Sequence, residues 1–111
     1  MDYRKNFGQK GERLAEKFLI SRQLSVLDRN FRTKEGEVDL IMQGKDVIVF
    51  VEVKIRKKDL VTAMEAVDDE KLEKIEAVAM EWLEQEKLED ADWRIDLVII
   101  FSDKLRWVKG V

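Results

Sequence analysis

The sequence predicts an α/β fold: a central mixed β-sheet flanked by helices, in the order α-β-β-β-α-β-β. Three observations carry this. Stretches rich in β-branched residues, at Glu37 to Met42, Val47 to Ile55 and Trp93 to Phe101, have strand composition. Two other stretches, Glu12 to Leu24 and Thr62 to Leu88, place apolar residues at helical spacing. The second helical stretch falls between strands, as a crossover connection would.

Each element has its own signal. Gly8 and Gly11 open the first segment, where Leu14, Ala15, Phe18 and Leu19 form one helical stripe from Glu12 to Leu24. Ser25 to Phe31 is a short strand, and Thr33-Lys34-Glu35-Gly36 is a turn. Gln43-Gly44-Lys45-Asp46 splits the next two strands into a hairpin. The long helix from Thr62 to Leu88 buries Met64, Val67, the aliphatic stem of Lys71, Ile75, Val78, Trp82 and Leu83. In the strand Trp93 to Phe101, Ile95, Leu97, Ile99 and Phe101 alternate with Arg94, Asp96, Val98 and Ile100. Leu105 to Val108 is an edge strand after the turn Ser102-Asp103-Lys104.

With 111 residues, 45% of them apolar and 41% charged, one domain spanning residues 1–111 is expected. No apolar run reaches the ~20 residues of a membrane span, and the start Met1-Asp2-Tyr3-Arg4-Lys5-Asn6 lacks a signal-peptide core. A cytoplasmic location without membrane association is the expectation. The chain has no cysteine and no histidine. Thiolate sites, disulfides, Ser-His-Asp triads and histidine bases are thereby excluded. Catalysis would have to run on carboxylates, lysine, hydroxyls and a hard cation held by oxygen. The net charge of −3 conceals a division. Residues 1–58 carry 14 Lys/Arg against 9 Asp/Glu, net +5, while residues 59–111 carry 7 against 15, net −8.

Chemistry concentrates on the strand Val47 to Ile55. Its odd-numbered residues are all apolar, whereas Glu52 and Lys54 share the other face with Ile48 and Phe50. Charges at such a place need each other, solvent or a metal. If Lys45 and Asp46 form a two-residue hairpin loop, paired residues have numbers summing to 91. Asp39 then faces Glu52, with Cβ atoms roughly 5 Å apart. Carboxylates that close repel unless a cation neutralises them, and Mg²⁺ or Mn²⁺ binds through one or two carboxylates, a carbonyl and water. Lys54 could then orient the attacking water and stabilise charge developing on a phosphate.

Asp39 followed by Glu52-Val53-Lys54 resembles the PD-(D/E)xK nuclease signature of restriction-endonuclease-like folds, with Val38 in place of the proline. Further motifs extend the likeness over nearly the whole chain. They are Gly8-Gln9-Lys10-Gly11-Glu12-Arg13-Leu14-Ala15, Arg29-Asn30-Phe31-Arg32, Gly36-Glu37-Val38-Asp39-Leu40-Ile41, Phe50-Val51-Glu52-Val53-Lys54-Ile55-Arg56 and Arg94-Ile95-Asp96-Leu97-Val98. Together they resemble the YraN-like family of small bacterial proteins, which are similar to archaeal Holliday junction resolvases. That resemblance implies a restriction-endonuclease-like fold. It also implies a metal site of Asp39 and Glu52 supplemented by Glu12, with Lys54 catalytic. A homodimer binding branched DNA is implied as well, and single-stranded DNA is a further candidate substrate of the expected nuclease.

The bland alternatives stand beside these readings. Glu52 and Lys54 alone would read as a surface ion pair, and Glu12 alone as a favourable charge near a helix N-terminus. Arg29, Asn30 and Arg32, and the basic run Arg56, Lys57 and Lys58, suit phosphate contacts or plain solvation. Arg94 and Asp96 are expected to brace the sheet. The expected function is a divalent-metal-dependent endonuclease acting on DNA. The alternatives are a non-catalytic nucleic-acid-binding or adaptor module that keeps the fold, and a protein-interaction domain using the Glu-rich helix.

Overall fold

The computed structural model describes residues 3–56, 68–102 and 104–111, with side chains from residue 9 onward. Its elements are α1 (Tyr3–Ser21), β1 (Ser25–Thr33), β2 (Gly36–Gly44), β3 (Val47–Arg56), α2 (Asp69–Gln85), β4 (Trp93–Phe101) and β5 (Lys104–Val108). The expected order α-β-β-β-α-β-β is found. The five strands lie in the order of the chain, β1-β2-β3-β4-β5. β3 and β4 run parallel and the other neighbours antiparallel, so the sheet is mixed. Among the described residues no helix is long and apolar enough to cross a membrane.

Two helix boundaries differ from the sequence reading. α1 begins at Tyr3, well before Glu12, because Gly11 lies inside the helix rather than opening it. A Cβ on Gly11 would stand 2.2 Å from Cδ1 of Ile55, so the missing side chain is what lets α1 lie against the end of β3. Within the expected stripe, Ala15 and Leu19 are buried, whereas Leu14 is 54% exposed. α2 begins at Asp69. Its N-cap is Asp68, which has extended backbone and accepts the Lys71 N–H through its side chain. Met64 and Val67, assigned above to the buried stripe, lie outside the described residues. Ile75, Val78, Trp82 and Leu83 are buried as expected, and Ala79 joins them.

The core is two layers, one on each face of the sheet. On one face Val38, Ile41, Ile48, Phe50 and Ile95 pack under Ile75, Val78, Ala79, Trp82 and Leu83 of α2. Phe50 is the hub, meeting Trp82 and Trp93 edge-to-face with ring centres 5.8 Å apart in both cases. On the other face Leu40, Met42, Val49, Val51 and Val98 pack under Ala15 and Leu19 of α1. β3 therefore alternates as its sequence says. β2 does not: Val38 and Ile41 share one face while Leu40 and Met42 share the other, so the alternation reverses at Asp39. β1 carries its own irregularity, a bulge between Val26 and Asp28.

The far side of the sheet is tied by Asp96, whose carboxylate is fully buried. It accepts from Arg94 Nε at 2.9 Å, Trp107 Nε1 at 2.8 Å and the Gly110 N–H at 3.0 Å. Arg94 and Asp96 thus brace the sheet, linking β4 to β5 and to the chain end. Removing the acceptor would leave three donors partly buried without partners. Asp96→Ala should cost about 3 kcal/mol, read as a lower urea midpoint with an unchanged m-value. An unaltered midpoint would mean that the brace contributes nothing.

Candidate functional site

The hairpin register is the one the two-residue loop dictates. Gly44 pairs with Val47, Gln43 with Ile48, Met42 with Val49, Ile41 with Phe50 and Leu40 with Val51, all summing to 91. Asp39 and Glu52 come next in that series, and there the ladder changes character. Asp39 Oδ2 accepts the backbone N–H of Val53 at 2.8 Å, so a side chain takes over where strand-to-strand pairing ends. The reversal of β2 at Asp39 and this side-chain bond go together. The carboxylate is carried into the gap between β2 and β3 instead of onto either apolar layer.

Glu52 and Lys54 follow Ile48 and Phe50 along the face of β3 that α2 covers. The Glu52 side chain is 11% exposed, and that of Lys54 13%. Lys54 Nζ stands 3.2 Å from Glu52 Oε1, so these residues do form the ion pair of the bland reading. It is, however, a largely buried pair and not an edge-strand surface pair. A second cation meets the same oxygen: Lys71 Nζ of α2, at 3.4 Å. The sequence reading had used only the aliphatic stem of Lys71. Its periodicity placed the residue beside the buried stripe, but nothing local in the sequence aims its ammonium at a carboxylate on β3.

The electrostatics follow from this crowding. Asp39 is pushed up from its ordinary value of 3.8 to about 7. Burial is the largest cause, then the charge of Glu52, with smaller contributions from Glu12 and Glu37. The Val53 N–H opposes them. Lys54 is held below the usual lysine range by burial first and by neighbouring Lys71 next, while Glu52 pulls the other way.

Glu12 stands on the α1 side of the cluster. Asn30 joins it to a carboxylate the sequence reading did not single out, donating from Nδ2 to Glu12 Oε2 at 3.0 Å and to Glu37 Oε1 at 3.1 Å. Asn30 itself has φ +51°, a left-handed conformation that asparagine tolerates better than most residues. Glu37 also takes a fork from Arg32, at 3.1 Å from Nε and 2.7 Å from Nη2. Arg29 forks onto Glu16 of α1, at 2.6 Å from Nε and 3.3 Å from Nη2. Two of the arginines expected to meet phosphate are thus each paired inside the molecule. Arg56 Nη1 donates to the carbonyl of Ile55, and Lys57 and Lys58 lie outside the described residues.

Three carboxylates do not close around one point: among the described residues no group of three or more Asp and Glu is placed to hold an ion by side chains alone. Asp39 and Glu52 offer the smaller donor set that Mg²⁺ accepts, completed by carbonyl and water. Asp39 Oδ1 and Glu52 Oε2 have no hydrogen-bond or ion-pair partner among the described residues. The repulsion that raises Asp39 is also the kind a cation relieves. On donor chemistry the two residues fit a hard divalent ion.

A mixed sheet in this order, with Asp39 and Glu52-Val53-Lys54 on adjoining central strands, places the chain among restriction-endonuclease-like α/β folds. Residues 11–100 match the family described as uncharacterised protein family UPF0102. The chain belongs to that family, the YraN family. A UPF0102 protein of Vibrio campbellii is 40% identical over 96% of this chain and 92% of its own length. Those of Geotalea daltonii and Campylobacter fetus are 41% and 33% identical, over 88% and 95% of this chain and 78% and 92% of theirs. These names state no activity.

Asp39 gives a pH test. A carboxylate raised from 3.8 to about 7 in the fold resists ionisation there, so stability falls as pH rises between those values and the loss is complete above 7. Without divalent cations, Asp39→Asn should be more stable than the wild type at pH 8, by about 4 kcal/mol read from urea midpoints. The two should converge toward pH 4. A difference that does not change with pH would assign the shift to another group.

Proposed function

We propose that the protein hydrolyses phosphodiester bonds of nucleic acid, DNA first among them, using Mg²⁺ or Mn²⁺ held by Asp39 and Glu52. One observation carries the reading: two largely buried carboxylates meet on adjoining central strands, with two lysines beside them. Burying like charges together costs several kcal/mol that a purely structural role would not need. A hard cation bound between these carboxylates would neutralise them and polarise a phosphate oxygen.

The roles of the protein groups follow from their places. The Val53 N–H fixes Asp39 through Oδ2 and leaves Oδ1 for an ion. Lys54, anchored on Glu52, keeps N–H donors suited to orienting an attacking water or holding a non-bridging phosphate oxygen. Lys71 adds a second positive charge beside Lys54, on the same Glu52 oxygen, suited to the negative charge gained by the phosphate during attack. Glu12 is held at the rim by Asn30, within electrostatic reach of Asp39. Branched DNA as the substrate, and a homodimer as the acting species, enter the reading through the family likeness alone.

One observation favours a non-catalytic reading, in which the fold serves only to bind nucleic acid. Glu52 already has its charge balanced by Lys54 and Lys71, so that part of the cluster is satisfied without any metal. The two readings separate on labelled four-way-junction, flap, single-stranded and duplex DNA. The nuclease reading expects cutting with Mg²⁺ or Mn²⁺, abolished by chelator and by Asp39→Asn. Lys54→Ala should lower the rate about 10²- to 10⁴-fold with binding retained. Intact binding with no cutting in any metal would leave the binding reading standing. Calorimetry without heat from Mg²⁺ or Mn²⁺ on the native protein would remove the metal site.

A further inference from the structure

Along α1, facing β1, runs a cavity of about 460 Å³ lined from Gln9 to Lys17, with Arg29, Asn30 and Leu40 on its sheet side. Through Glu12 and Asn30 it adjoins the cluster described above. The charges along it are unevenly committed. Glu16 is taken up by Arg29, and Glu12 by Asn30. Arg13 and Lys17 also line the cavity, are exposed, and have no ion-pair partner among the described residues. Spaced i to i+4, they share one helix face and stand about 6 Å apart along its axis. That is comparable with the separation of neighbouring phosphates on one nucleic-acid strand.

We propose that this groove is a phosphate track in which Arg13 and Lys17 contact two successive phosphates of a nucleic-acid strand flanking the one held at Asp39 and Glu52. The assignment rests on the nucleic-acid reading above and goes further, because it names two cations of α1 that a strand passing the site would meet. It also moves the phosphate contacts from Arg29 and Arg32, which are paired internally, to two cations that are not. A half-open cavity lined by charged and amide side chains apart from Leu40, with two uncommitted cations, suits a sugar-phosphate backbone. The contacts carry no base information, so they should act equally on every sequence.

The test is binding of a fluorescein-labelled oligonucleotide, single-stranded and duplex, over a salt series in chelator. Each of Arg13→Ala and Lys17→Ala should weaken binding and make the slope of log K against log salt shallower by about one. Lys17→Arg should keep the wild-type slope. Arg106→Ala, on the opposite edge strand, should change little and controls for net charge. Circular-dichroism melts would establish that each variant folds. If the protein binds but both alanine variants keep wild-type affinity and slope, the track is wrong and the nucleic-acid reading survives. If the wild type binds no oligonucleotide in any of these salts, both fall together.

Discussion

An ionised side chain within a sheet must find its counter-charge inside the protein, and much of the architecture around β3 answers that demand. An unpaired buried ion costs several kcal/mol even after relaxation. A well-buried aliphatic or aromatic residue contributes about 1.5–3 kcal/mol. One unmatched Glu52 would therefore cancel two or three of the apolar residues that hold α2 on the sheet. Lys54 alone comes from the same strand, two residues on, and shares its burial. Lys71 brings the second cation from α2, so the helix that covers the Phe50 layer also balances the charge at its border. Core packing and site electrostatics are set by one docking geometry.

The first half of the chain builds most of the cluster and carries the excess of positive charge. The Glu-rich second half supplies α2, which turns its apolar stripe and Lys71 inward and leaves Glu70, Glu73, Glu76, Glu81 and Glu84 in solvent. The negative net charge is thus spread over a helix surface, while the rim of the site, around α1 and β1, interleaves acids with arginine and lysine. Whole-chain charge is a poor guide to what such a surface attracts.

Strands and helices were legible because each apolar pattern has a single period that burial enforces. The hairpin register was legible for a stricter reason: a two-residue loop fixes every pair behind it, and the β2–β3 pairs obey that arithmetic. What escaped has no period. Asp39 sits where alternation reverses, and the residues Val38-Asp39-Leu40 look like any strand. The start of α1 was misplaced because glycine normally weakens helices, whereas Gly11 is needed for close approach to Ile55. Lys71, Glu37 and the pairings of Arg29 and Arg32 depend on which elements meet in space. The N-cap at Asp68 was hidden within a polar, helix-favouring stretch. The carboxylate-lysine cluster was readable in its β2 and β3 part, Asp39 with Glu52 and Lys54, while the contacts that frame it from β1 and α2 were not.

The parallel pairing of β3 with β4 has a consequence for how the molecule assembles. β1, β2 and β3 are joined by two-residue turns at Lys34-Glu35 and Lys45-Asp46, so their contacts close quickly and locally. β3 meets β4 only after the chain has closed a loop from Arg56 to Trp93, and α2 lies within that loop. Closing so long a loop is entropically costly and slow compared with forming hairpins. Until it closes, the Phe50 layer lacks its cover, and Glu52 has Lys54 without Lys71. By contact order, the late-forming contacts include the docking of α2 that brings Lys71 to Glu52. A half-assembled chain presents an open apolar strand beside a carboxylate still in water, which is the interval in which it is most open to misassociation.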